Sequence, residues 1–380
     1  MIKGFRYYYI LILLLLFVSF FSLAENLTVS YFFRGAFIVS LALCSLFFLI
    51  VFCDPVASRV MVWIYLLTML IFLQYGSSYF WGGGDPMRSI ENGLQFLFSM
   101  LVLYLSYSYS KKYGVSGISE IALLLLLVAI FLIVYHLVEG GVFFQNPNSL
   151  GMISYLMICS MLFFRRGLWL WAWLFGTSLI LISGSRSSLL GLMIFSITYL
   201  VIPRVLRLRL KGTYFFGFVL AIALVLSFSV GILFPELTDE LNRLSREMFQ
   251  KNLDSGRNSM WGMLIDLMVG YEIWGRGGGV QIKDISDIEY SAHNLYLQVY
   301  MQLGVVGVLV LIGLLFSIWS FVFNGMNLYK VRIAASAFMG LLVINCFEVT
   351  LFQNNLVLSL PILALVGIAA GSKSSANNFR

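Results

Sequence analysis

The feature that most restricts this chain is a succession of apolar runs, each long enough to cross about 30 Å of hydrocarbon as a helix. They fall at 8–24, 33–53, 60–80, 92–110, 118–138, 148–164, 168–183, 187–202, 213–234, 293–323, 333–352 and 355–371. With 61% hydrophobic and 11% charged residues, a soluble globular chain of 380 residues has too little polar surface to face water. The pattern predicts an all-α polytopic membrane protein with about twelve transmembrane helices. No small-residue cleavage site follows the first run ahead of a soluble domain, so that run is read as a retained helix.

An even number of spans places both termini on one side. If that side is the cytoplasm, its segments hold Lys3, Arg6, Arg59, Lys111, Lys112, Arg165, Arg166, Arg204, Arg207, Arg209, Lys211, Lys330, Arg332, Lys373 and Arg380. The opposite side, its long loop excluded, holds only Arg34, Arg88 and Arg186. Such a lysine and arginine asymmetry predicts cytoplasmic termini. The one large break in hydrophobicity, 235–292, then lies outside the cytoplasm and divides the chain. Residues 1–234 carry helices one to nine, 235–292 form the external loop, and 293–380 carry helices ten to twelve, all within one membrane domain. The loop sets six basic residues, among them Arg257 and Arg276, against ten acidic ones, so it is no general basic patch and suggests no nucleic-acid partner. Its stretch "RNSMWGMLIDLMVGYEIW" has apolar residues at helical spacing, fitting a short amphipathic helix at the interface or one packed on the bundle. Cys44, Cys53, Cys159 and Cys346 are scattered through apolar runs, which speaks against both a disulfide framework and a zinc site.

Polar residues at membrane depth are costly and often mark a site. "LISGSRSSLLGL" places Arg186 in a short turn among Ser183, Gly184, Ser185, Ser187 and Ser188, at the positive end of the next helix. That combination suits a phosphate, although an arginine reaching for lipid headgroups explains the turn as well. "NLDSGRNSMW" offers Arg257, with Trp261 one turn on; a guanidinium holds an oxyanion bidentately, while a solvated loop arginine is the simpler alternative. "WGRGGGV" surrounds Arg276 with glycines, but no strand precedes it, so it reads as a flexible, close-approach loop rather than a nucleotide fingerprint. In "FFQNPNSLGM", Asn148 or Ser149 can cap the following helix. His136 and Glu348 are two further oddities; the expectation for Glu348, inside the eleventh run, is that it counters one of the arginines.

"YSAHNLYLQVYMQLGVVG" opens the tenth run with His293, one of only two histidines. On a helix starting there, His293, Tyr296, Leu297 and Tyr300 share a face, while Asn294, Gln298 and Gln302 form a polar stripe that should face protein or water. Gly304 and Gly307 then let another helix approach. The positive dipole end disfavours an imidazolium, which suits a proton acceptor; a satisfied interfacial histidine is the alternative.

His293-Asn294, nine residues, then Gly304-x-x-Gly307 resembles the signature of the bacterial O-antigen ligase and polymerase superfamily. The turn Ser185-Arg186-Ser187, the loop pair Gly256-Arg257 with Trp261, the Asn146-Pro147-Asn148 turn and the glycine-rich turn before the histidine are similar to that family's motifs in the same order. The resemblance implies a membrane-embedded, GT-C-like glycosyltransferase in the bacterial inner membrane with a periplasmic site, needing no metal or cofactor. Its donor is then an undecaprenyl-pyrophosphate-linked oligosaccharide, with membrane lipid around it and, for a polymerase, a chain-length regulator as a further partner. Arg186 and Arg257 are expected to hold the pyrophosphate and His293 to act as the base, supported by Asn294, Arg276, Ser185, Asn148 and Tyr296. Two acceptors fit: the next lipid-linked repeat unit (O-antigen polymerase, the preferred reading) or lipid A-core (O-antigen ligase). A lipid-linked oligosaccharide flippase or transporter is the rival from another class, and related halves with midplane polar groups would favour it.

Overall fold

The computed structural model describes residues 59–81, 83–113, 118–138, 148–164, 166–207, 212–228, 240, 242–247, 257–286, 291–323, 329–351 and 356–377. The first two expected spans, Cys44, Cys53, Pro147 and most of 229–256 lie outside these residues.

Among the described residues every regular element is helical, apart from an isolated bridge between Gly84 and Gly279. In chain order the α-helices are α1 Arg59–Trp81, α2 Pro86–Tyr113, α3 Ile118–Val138, α4 Asn148–Phe164, α5 Trp169–Ser183 and α6 Arg186–Arg207. They continue with α7 Gly212–Phe228, α8 Arg257–Asp266, α9 Leu295–Phe323, α10 Tyr329–Ile344 and α11 Leu356–Asn377. Each long helix coincides with one of the apolar runs, because a Leu-, Ile- and Phe-rich segment without water can satisfy its backbone only internally. By length and composition α9 is able to cross a bilayer by itself, and α4, α5 and parts of α1, α6, α7 and α11 form shorter apolar helices.

The packing has an inside and an apolar outside. Residues 333–344 of α10 are all buried, and most of α11 is buried as well. α11 lies along α2, α10 along α6, and α9 along α1. On α1, Val62, Leu66, Leu70 and Leu73 are exposed at spacings of three and four, and on α5 Trp171, Leu174, Phe175 and Ile182 are exposed likewise. Apolar stripes of this kind on the exterior of a bundle belong against lipid.

Two departures from the expected helices matter for the site. α10 stops at Ile344, whereas its apolar run extends to 352, and residues 345–351 form a buried turn. Asn345 builds that turn by accepting from the backbone N–H groups of Thr350 and Leu351, each at 3.0 Å. Glu348 therefore sits in a turn rather than inside a helix. α9 starts at Leu295, two residues after His293, and is interrupted at Gly304 (φ 66°, ψ −166°). Through that break passes the glycine-rich loop. The Arg276 and Gly277 N–H groups donate to the Met301 and Gln302 carbonyls, and the Val305 N–H donates to Glu272 O at 2.8 Å. A Cβ at Gly304 would lie 2.2 Å from Ile273 O. Gly304 thus admits a loop, not a second helix.

That loop is also not flexible. Gly278 and Gly279 are buried; Asn92 donates to Gly278 O at 2.8 Å, and Arg88 donates to Gly279 O and pairs with Asp284, both at 3.0 Å. α8 packs against α9 through Met260, Trp261 and Leu264, joined by Met268, Val280, Ile282, Leu297 and Met301. Burying each large side chain here contributes about 1.5–3 kcal/mol. Of the two readings of this stretch, α8 follows the packed one, while Val269, Tyr271, Ile273 and Trp274 beyond it are exposed.

Candidate functional site

His293 lies just ahead of α9 in an unusual backbone state. Its φ of 46° is positive, and it is the single non-glycine residue of that kind among the described residues. Neighbours on both sides impose this geometry. Trp261 Nε1 of α8 donates to Ala292 O at 2.8 Å, and the Leu295 N–H donates to Asn345 O at 2.8 Å. A left-handed conformation at a non-glycine residue costs free energy and persists where its surroundings over-determine it, often at functional positions.

The imidazole faces a carboxylate. His293 Nδ1 is 3.3 Å from Glu348 Oε2, and the other oxygen, Oε1, accepts from Asn148 Nδ2 at 2.8 Å. Glu348 is almost fully buried, its side chain 6% exposed, whereas the His293 side chain is 30% exposed. A carboxylate only accepts, so in this contact Nδ1 carries the hydrogen, and it is Nε2 that is left to face outward from the pair. The carboxylate contacts of Glu348 that the structure describes are the histidine and Asn148. An acidic residue in an apolar run was the available signal, but its partners lie 55 and 200 positions away in sequence.

Asn148 opens α4, and Gly151, one turn on, meets the Arg186 turn: a Cβ there would be 2.3 Å from Ser185 Cβ. The turn is locally built. Gly184 ends α5 in the left-handed region (φ 63°), its N–H returning to Leu181 O. Ser185 accepts from the Leu189 N–H at 3.1 Å and its hydroxyl donates to Ser188 Oγ at 2.8 Å. The Ser185 hydroxyl is therefore committed to the turn. Arg186, half-buried, begins α6 and donates from Nη1 to Ser245 Oγ at 3.4 Å, which brings the 242–247 segment of the long loop onto this end of the bundle. Arg257 opens α8, whose Trp261 is the residue fastened beside His293.

The structure thus connects His293, Glu348, Asn148 and the Ser185-Arg186 turn, with α8 pinned alongside. Three expected supporters have other work. Asn294 caps α9, its Oδ1 accepting from the Leu297 N–H at 3.1 Å, because the first helical N–H groups need an acceptor. Tyr296 is buried and donates to Leu342 O at 3.2 Å, joining α9 to α10. Arg276 donates to Leu267 O and stacks its guanidinium 4.2 Å from the Tyr271 ring, so it closes the loop on itself. His293 does not share a helical face with Tyr296 and Tyr300, since the helix begins after it. The polar stripe does face protein: Gln302 accepts from Tyr75 OH at 2.9 Å and donates to Val280 O at 3.1 Å.

The described residues form a helical bundle with an apolar exterior, which carries a carboxylate-held histidine and an arginine turn. Residues 171–312 match the model of the O-antigen ligase family, a likeness that covers the middle of the chain from α5 into α9. The matched segment holds Arg186, Arg257 and His293; Asn148 and Glu348 lie outside it. A search of curated proteins returns no match to the chain.

Proposed function

We propose that this protein is a metal-independent glycosyltransferase of the inner membrane, spanning it twelve times with cytoplasmic termini and a periplasmic site roofed by the 235–292 loop. The observation that carries the reading is the contact network joining His293, Glu348, Asn148 and the Arg186 turn. The match of residues 171–312 to the O-antigen ligase family model supports transfer chemistry of that type.

The donor is a glycan on undecaprenyl pyrophosphate, held by Arg186 and Arg257, whose guanidiniums suit phosphate oxygens and do not titrate. An acceptor sugar hydroxyl gives its proton to His293 Nε2 as its oxygen attacks the anomeric carbon. The bond from that carbon to the pyrophosphate oxygen breaks, and the electron pair leaves on the pyrophosphate, where the arginines stabilise it. A single displacement inverts the anomeric centre. The preferred acceptor is the next lipid-linked repeat unit, making the protein an O-antigen polymerase; transfer to lipid A-core, the ligase reaction, is the alternative.

The test is a strain lacking the gene, restored with wild type or His293→Ala, with the lipopolysaccharide ladder as readout. Loss of a polymerase leaves single-repeat molecules on the core, and loss of a ligase leaves none and strands glycan on its lipid carrier. A full ladder from His293→Ala at normal expression removes the base and the mechanism with it.

A further inference from the structure

The buried turn 345–351 contributes a carboxylate to the histidine from outside the segment that matches the family model. We infer that Glu348 is a positioning residue for the transfer reaction: it fixes the His293 ring in the Nδ1–H form and balances the imidazolium that forms as the acceptor proton arrives at Nε2. The inference rests on the base reading above.

Several observations converge on this role. Burial is the first: Glu348 is 4% exposed, and a carboxylate taken from water needs compensating partners. Aim is the second. Asn148 holds one oxygen at 2.8 Å, leaving the other directed at His293 Nδ1 at 3.3 Å, so the carboxylate cannot rotate away without losing a hydrogen bond. The third is the scaffold. Asn345, itself fully buried, builds the turn with Thr350 and Leu351 and also receives the Leu295 N–H, so one residue locks the acid's turn to the base's helix. Finally, His293 keeps a left-handed backbone, a conformation that costs free energy at a non-glycine residue, while its ring meets this turn. The proton moves from the acceptor hydroxyl to Nε2, the Nδ1 hydrogen stays between ring and carboxylate, and Glu348 itself takes up no proton.

The experiment uses the full chain, labelled with 15N-histidine and reconstituted in vesicles, for rate and imidazole spectra together. Only His136 and His293 contribute, so the His293→Ala variant assigns the signals. With the ring neutral, wild type is expected to show His293 as the Nδ1–H tautomer. Glu348→Gln is expected to lose that preference and to slow transfer about 10²-fold or more. Glu348→Asp, which keeps the charge on a shorter arm, is expected to recover part of both. If Glu348→Gln keeps wild-type rate and tautomer while His293→Ala is inactive, this inference is overturned and the base reading stands. Slower transfer with the tautomer unchanged assigns Glu348 a structural role only and overturns it too. An active His293→Ala protein overturns both readings.

Discussion

Two polar networks meet the N-terminal part of α9, and they end differently. The one around the glycine-rich loop is closed. Arg88, Asn92, Ser78, Gln302 and Arg276 all reach loop backbone or loop side chains. The one around His293 is open: Asn148 and Glu348 are occupied with each other and with Nδ1, while Nε2 has no hydrogen bond among the described residues and the ring is partly exposed. A buried polar group with all partners supplied contributes stability and geometry. A held group with one free valence is prepared to meet a substrate.

The comparison can be broken by substitutions that should act mainly on rate in one network and on stability alone in the other. His293→Ala is expected to reduce transfer by about 10²–10⁴-fold, with a loss of thermal stability beside it because the buried Glu348 carboxylate is left with one partner fewer; rate and melting temperature of the purified protein check both halves. Arg186→Lys retains the charge but not the fork, and should cost roughly 10- to 100-fold in transfer, with a nearly unchanged melting temperature. Gly304→Ala inverts the pattern. Its Cβ would press on Ile273 O at 2.2 Å in a left-handed backbone, so a destabilisation of about 1–3 kcal/mol is expected, read from thermal unfolding in detergent. Arg276→Gln should be the smallest, roughly 0.5–2 kcal/mol of stability from the lost stacking on Tyr271, with the rate per folded molecule unchanged. A rate effect from Arg276→Gln larger than from Arg186→Lys would reverse the assignment of the two arginines.

Much of this molecule was legible because its strongest signals are local. The apolar runs from 60–80 onward each became a helix, and the Arg186 turn formed where its serines and glycine cluster. The turn is legible for a physical reason: Gly184 and Ser185 act on backbone groups within four residues of themselves. Asn294 shows the opposite problem. An asparagine before an apolar helix reads equally as a site residue or a cap, and the tertiary structure shows the cap made by its Oδ1. Arg276 and Arg186 likewise share a glycine- or serine-rich setting, and the structure gives them different partners: the Leu267 carbonyl and the Tyr271 ring for Arg276, the Ser245 hydroxyl for Arg186.

By itself, the sequence determined the helical class, the positions of the helices, and the short list of polar residues that such a bundle has to account for, because hydropathy and backbone capping depend on near neighbours. Only the tertiary structure decided that α9 breaks at Gly304 to receive the loop, that the run ending at 352 stops early to form a turn, and that this turn carries Glu348 to His293. Those outcomes depend on which backbone and side-chain groups meet across 30 to 200 positions of chain, and pairing at that distance is selected by packing, not by local pattern.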